Sequence, residues 1–391
     1  MKKIIFSLIG IMCSIQAVSA QKDTLSRDTI VFSKLLDGHK AQMEAVAFSS
    51  DGGWVASAGW DNEVRLYKLD SLNFGVFTRS FGGHRGAITT LAIQPGNKHL
   101  VSGSRDNTFN IYDLQSGKIV FTGRDHVSAV TRVLFDPSGR YLMTSSLDKT
   151  IRIYDMDSLG NYRKKPVVMT YSKPINDFAL SPAKFKFMVA SDASVVEQVG
   201  MNGKSTRVFT GHTAKVNCLA MSNDMKWMAT GSDDKMIRLW NPKTGLFVKE
   251  LSGHTWKVTS LNFSLDGKYL VSTCNNGEVK IWNVESGLEV AELPSSGNNA
   301  RQAVFAPNMK YIALATFQSG TLFGANLYKT PYTVYVKPVK SKGTPAKGGA
   351  TGNAGKSVSS KGGAVGNIGK GNTGSTGASM KKPVTPTTKK K

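Results

Sequence analysis

GHTAKVNCLAMSNDMKWMATGSDDKMIRLWNPKTGLFVKELSGH, residues 211–254, decides the reading of the whole chain. From His212 it runs through an apolar strand ending in LAMSND, a second strand WMATGS, then Asp234 and a third strand closing on Trp240. A fourth, LFVKEL, delivers the next Gly-His pair at Gly253 and His254. Apolar and polar residues alternating in runs this short, broken by Asn, Asp and Gly, mark half-buried antiparallel strands joined by tight turns.

The same order recurs along the chain. Histidines stand at 39, 84, 126, 212 and 254, and 22 residues after each lies Asp61, Asp106, Asp148, Asp234 or Asn276. Six residues further on comes an aromatic: Tyr67, Tyr112, Tyr154, Trp240 and Trp282. Two weaker units complete the series. SKPINDFALSPAKFKFMVASDASVVEQVGMNG fills the gap between His126 and His212 without the histidine or the final aromatic, with Asp192 near the Asp position. ARQAVFAPNMKYIALATFQSG follows the unit of His254, placing Phe305 42 residues beyond Phe263, with Ser296 and Gln318 where His and Asp would stand. Seven four-stranded units can close a ring without leaving a sheet edge exposed.

On these five units in register the chain resembles the WD-repeat β-propeller family, across residues 28 to about 336. The resemblance implies an all-β fold, a seven-bladed β-propeller of four-stranded antiparallel blades. It implies that His212, Thr230, Asp234 and Trp240 form a hydrogen-bonded chain in the fifth blade, a buried network tolerable only when every member finds a partner. His84, Ser102 and Asp106 repeat it in part, with Tyr112 for Trp, and Asn276 beside His254 implies a looser tie. In the family the last blade is often closed by a strand from the chain's start; TIVFSKLL before His39 resembles one, and TVYVKPV near residue 335 competes for the place.

The ends read differently. Lys2 and Lys3, an apolar run from Ile4 to Met12 and small residues at Val18, Ser19 and Ala20 have the layout of a secretory signal cleaved after Ala20. The run is too short to span a bilayer, and bulky Met12 argues against a lipid on Cys13. An exported protein, periplasmic or secreted, is therefore expected. Of the net charge of +23, residues 337–391 supply 12 lysines and no Asp or Glu and the start of the chain adds Lys2 and Lys3, leaving +9 on residues 21–336. That tail of Gly, Ser, Thr, Ala and Lys has almost nothing to bury and is expected to be disordered, a cationic tether able to hold anionic polymer, lipid or nucleic acid. The expected organisation is a signal at 1–20, a linker at 21–27, the propeller at 28–336 and the tail at 337–391.

Catalytic chemistry is not expected. Five of six histidines hold the repeat position, only His99 lies outside it, and no phosphate loop, zinc pattern or nucleophile elbow occurs. Cys218 and Cys274 read as small strand fillers or as one inter-blade disulfide. No cofactor, metal or small-molecule substrate is expected; an enzyme acting from the central channel stands as a minor alternative. Two tryptophans escape structural duty. By the family's geometry Trp60 precedes Asp61 in a turn and Trp256 follows His254 in a loop, both on one face of the ring. They read either as aromatics folded over neighbouring loops or as anchors of a partner-binding patch. That patch would include Lys257, Asn298, Asn299, Arg301, Arg85 and Arg105, with Lys40 and Lys215 nearby and Asp233 and Glu44 relieving the charge. The expected function is a protein-protein interaction scaffold with an unidentified protein partner.

Overall fold

The computed structural model describes residues 30–69, 74–157, 160, 165–181, 186–293, 299–316 and 323–330. The signal with Cys13, the linker, Ser296, Asn298, Gln318, TVYVKPV and the lysine-rich tail lie outside the described residues. The chain divides into two units, Met1–Lys337 and Pro338–Lys391, and every described residue belongs to the first.

Among the described residues there is no helix. Twenty-eight strands, β1–β28 in chain order, form seven four-stranded antiparallel sheets. The innermost strand of each blade is β2 (Met43–Phe48), β6 (Ile88–Ile93), β10 (Val130–Phe135), β14 (Ile175–Leu180), β18 (Val216–Met221), β22 (Val258–Phe263) and β26 (Ala300–Phe305). Each packs against the next and β26 packs against β2, so the ring is closed.

Seven apolar clusters hold it, one at each junction between blades. The aromatic that ends a third strand is driven into the face of the preceding blade: Tyr112 packs with Leu66 and Phe81 of blade one, Tyr154 with Val101 and Phe109 of blade two, and Trp282 with Ile237 and Leu251 of blade five. Burying so large a ring removes far more apolar surface from water than a β-branched residue does. In blade four Val199 stands at that place, and Phe178 and Phe187 make up the volume against Met143 and Ile153. Second strands are sandwiched on both faces, hence the uniformly buried HLVSGS of His99–Ser104 and YLVSTC of Tyr269–Cys274.

The ring closes through the chain's start. β1 (Val31–His39) pairs antiparallel with β28 (Phe323–Lys329), outside β27 (Tyr311–Thr316) and β26. Of the two segments that sequence left in competition, TIVFSKLL supplies the strand, its Ile30 onward being described. Leu36 is fully buried with Ala313, Ala325 and Leu327.

Candidate functional site

The loop face is organised by the repeated histidines. His212 Nδ1 lies 2.8 Å from Asp234 Oδ2 and its Nε2 2.8 Å from Thr230 Oγ1, to which Trp240 Nε1 donates at 2.9 Å. The same carboxylate accepts from the Thr213 and Met236 backbone N–H groups and from Arg238. One acid thus ties the loop before the first strand to the turn between the second and third. His39 repeats this with Asp61 and Ser57, His84 with Asp106 and Ser102, His126 with Asp148 and Thr144. The third-strand tyrosines bond differently: Tyr67 donates to the Asp37 carbonyl, Tyr112 to Gly82 and Tyr154 to the Asp125 carboxylate.

The sixth blade corrects an expectation. Asn276 does not leave His254 loosely tied, because Glu278 takes over: its Oε2 lies 3.1 Å from His254 Nδ1 and accepts from the Thr255 N–H. The extra methylene of Glu reaches from two residues further along. Ser272 and Trp282 complete the chain at 2.6 and 2.8 Å. Burial opposes ionisation of Glu278, yet bonds from Thr255, Asn276 and His254 hold its carboxyl down to about 2.

Hydroxyl, imidazole and carboxylate in this order resemble a hydrolytic triad, but the hydroxyls of Ser57, Ser102, Thr144, Thr230 and Ser272 belong to fully buried residues. A nucleophile must reach a substrate, and these cannot. Cys218 and Cys274 are both free and buried, so they form no disulfide with each other.

At the centre of the face a cavity of about 350 Å³, the mouth of the central channel, is lined by all seven blades. Every innermost strand carries a bulge at its second residue, in turn Glu44, Thr89, Thr131, Asn176, Asn217, Thr259 and Arg301. An extra residue has no cross-strand partner and its side chain is re-aimed. Five of them donate to a backbone carbonyl of the next blade: Thr89 to Val130, Thr131 to Ile175, Asn176 to Val216, Asn217 to Val258 and Thr259 to Ala300. Glu44 makes no such tie and instead accepts from Trp60 Nε1, and Arg301 turns to Asn275 and Glu44. The ring of neutral ties is thus replaced by charge at blades seven and one. On the far side of the mouth, buried Asp177 accepts from the Leu219 and Phe178 N–H groups and lies 3.6 Å from Arg132, while burial raises its pKa.

The two exceptional tryptophans are half-exposed, Trp60 at 46 % and Trp256 at 53 %. Trp60 Nε1 donates to Glu44 at 2.7 Å and the Arg105 guanidinium sits 5.1 Å from its ring, a cation–π contact. Arg105 and Arg301 both approach Glu44, at 3.9 and 3.7 Å. Trp256 instead meets Lys235 of the fifth blade, at 5.9 Å. The cations over these rings therefore come from blades two and five, not from the seventh blade between them, and Arg301 links blades six and one. Lys257 lines the mouth, Lys40 and Arg85 are exposed on the loops after their histidines, and Asn299 takes a left-handed φ of 75° before β26. Lys215 pairs with Asp192, and Asp233 accepts from Asn217. Sequence reasoning missed Val127, 82 % exposed just after His126, and Leu147, 40 % exposed at the turn position that Trp60 holds in blade one. Their placement one residue from His126 and Asp148 was the available signal.

The family profile of the WD domain, G-beta repeat, matches residues 30–68, 75–113, 117–155, 203–241 and 245–283. The chain belongs to the WD-repeat β-propeller family. The WD repeats so matched are the five with a histidine tie; the three inner strands of blade four fall between them and those of blade seven after them. Among curated WD-repeat relatives, the target of rapamycin complex subunit LST8 of Saccharomyces cerevisiae is 27 % identical over 54 % of this chain and 71 % of its own length. Eukaryotic translation initiation factor 3 subunit I of Neurospora crassa is 28 % identical over 22 % of this chain and 25 % of its own length. The CCR4-associated factor 4 homolog of Candida glabrata is 36 % identical over 22 % of this chain, which spans only 16 % of that relative. These relatives overturn the expectation of export. A translation initiation factor subunit and a target of rapamycin complex subunit are intracellular parts of eukaryotic assemblies, so the periplasmic or secreted location read from residues 1–20 is withdrawn.

Proposed function

We propose that this WD-repeat ring is a non-catalytic protein-interaction scaffold that takes its partner on the loop face, in the sector from Trp256 through Arg301 to Trp60. The observation that supports it is the charged break in the mouth ring: two guanidiniums, Arg105 and Arg301, converge loosely on one carboxylate beside a half-exposed tryptophan. Tryptophan and arginine in partly desolvated positions are the side chains that dominate binding hot spots. Asn299, Lys257 and Arg85 extend the sector; Asn298 belongs to the same expectation but lies outside the described residues. Relatives named as complex subunits support a protein as the partner.

Replacing Trp60 or Trp256 with alanine is expected to weaken partner binding by about 2 kcal/mol, roughly 30-fold, while leaving thermal stability nearly unchanged. Crosslinking and quantitative capture from a native extract, with the parent and each variant, measures the first; thermal melts measure the second. Equal capture by parent and variants, or a large loss of melting temperature, overturns the patch.

A second reading rests on the 12 lysines of residues 337–391: the tail holds an anionic polymer or lipid surface. Salt separates the two, since attraction to a polyanion falls steeply with ionic strength and an aromatic anchor is less sensitive. Retention on heparin that persists at high salt, or that survives removal of the tail, would sink this second reading.

A further inference from the structure

The sixth blade departs from its neighbours at three places that converge on one point. Where blades two, three and five carry Ser104, Ser146 and Ser232, each donating to a loop carbonyl and accepting from the Asp N–H, blade six carries Cys274. Where those three blades carry Asp106, Asp148 and Asp234 it carries Asn276, and where they carry Thr108, Thr150 and Met236 it carries Glu278, four residues after Cys274. We infer that His254, Cys274 and Glu278 bind a single divalent transition-metal ion of the zinc type.

Glu278 reproduces two contacts of the missing Asp, to the histidine and to the following N–H, and Asn276 Oδ1 keeps the third by accepting from the Glu278 N–H, so the structural tie does not require sulfur. For bridging a loop a thiol is the poorer choice, being a weak donor and weak acceptor. For a borderline-soft cation it is the better one. One ligand atom from each of the three residues lies within 4.8 Å of the other two. Metal–nitrogen and metal–sulfur bonds of roughly 2.0–2.3 Å set tetrahedral donors about 3.5 Å apart, so a small rotation of the Cys274 or Glu278 side chain gathers them round an ion.

The surroundings suit the role. The second ring nitrogen of His254 is engaged by Ser272 Oγ at 2.6 Å, fixing the ring as outer partners of metal-binding histidines do. Asn276 Nδ2 and Thr255 Oγ1 hold the carboxylate from outside. His254 and Cys274 are buried, while the Glu278 side chain is 17 % exposed and opens the site to solvent beside Trp256. On binding, the thiol proton passes to solvent and the sulfur coordinates as thiolate. Three protein ligands leave a fourth position for water or for a donor from a docked partner. The spacing explains why no zinc pattern shows in the sequence: the ligands come from a loop, a strand end and a turn of one blade, not from a knuckle.

The test uses the full chain, stripped with a chelator and titrated with zinc chloride against a chromophoric competitor, with cobalt(II) as the spectroscopic probe. One equivalent should bind, and the cobalt form should show thiolate-to-metal charge-transfer absorption. Cys274→Ser restores the residue of the regular blades and should fold, yet lose that absorption. Glu278→Gln should weaken zinc by at least the roughly 10- to 100-fold that losing an outer partner costs, and Cys218→Ser should bind as the parent does. No binding by the parent, or equal zinc affinity and an unchanged cobalt spectrum in Cys274→Ser, overturns the site. Should Cys274→Ser melt early, Glu278→Gln decides alone.

Discussion

A chain lacking residues 30–39 is expected to lose its closed ring. Those residues are β1, the outer strand of the last blade, and nothing else described pairs with the outer edge of β28. Without it Leu327 and Ala325 lose their cover from Leu36, and a long strand edge with unpaired N–H and C=O groups is presented to other molecules. The junction between blades seven and one also lies next to the charged break at Arg301 and Glu44, where neutral hydrogen-bonded ties give way to charge. Light scattering should therefore show oligomers, and the melting temperature should fall steeply. A milder version is Leu36→Ala, expected to cost about 3 kcal/mol for a fully buried leucine. Gly324→Ala attacks the same contact from the other strand, because a Cβ there would lie 2.3 Å from the Leu36 carbonyl oxygen. A synthetic peptide covering β1, added in trans, should restore the truncated chain. A truncated chain that stays monomeric with an unaltered melting temperature would show that the ring closes some other way.

The ring itself was legible because its marks are local. A histidine, an acid 22 residues on and an aromatic six further fix where three strands and two turns fall, and even blade four, lacking two of the three, kept enough alternation to be counted. The functional face was legible only in outline. A bulge is a change of backbone register, not of hydrophobic pattern, so nothing in the strings MEAVAF or ARQAVF announces that Glu44 and Arg301 are the unpaired residues aimed at the channel. Likewise Glu278 could not be assigned to His254 from spacing, since a longer side chain two residues on reaches the same imidazole. Trp60 and Trp256 were found because they break the repeat, but which neighbour each leans upon is settled by contacts across blades. The location read from the amino-terminal pattern was overturned by the relatives for another reason: a basic start followed by an apolar run is a matter of composition, which the repeat does not cross-check.

Asp234→Ala should be among the most damaging single changes away from the ring's seam. It strands His212 Nδ1, two backbone N–H groups and Arg238 at once, and breaking a buried network costs about 3 kcal/mol or more. The same network sets the response to acid. Burial would raise the Asp234 carboxyl, but the His212 bond and the Thr213 and Met236 N–H groups hold it down to about 2, against an ordinary value near 3.8. Asp61, Asp106, Asp148 and Glu278 are depressed in the same way. A depressed carboxylate stabilises the fold above its unfolded value and stops doing so as the pH falls through its folded one. The histidines add to this. Burial lowers His84, His212 and His254 below 6.5, with their acidic partners only partly opposing it. Below pH 6.5 the unfolded chain therefore binds protons that the folded chain refuses. Both groups push the same way, so stability should be level above about pH 7, decline below 6.5 as histidines charge in the unfolded state, and fall faster from about 4 towards 2. Urea titrations across this range measure it. In Asp234→Asn the acid-range slope should be shallower than the parent's, because one depressed carboxylate is gone. Stability that holds level or rises between pH 7 and 4 would contradict the linkage and, with it, the assignment of these histidines as neutral struts in the folded ring.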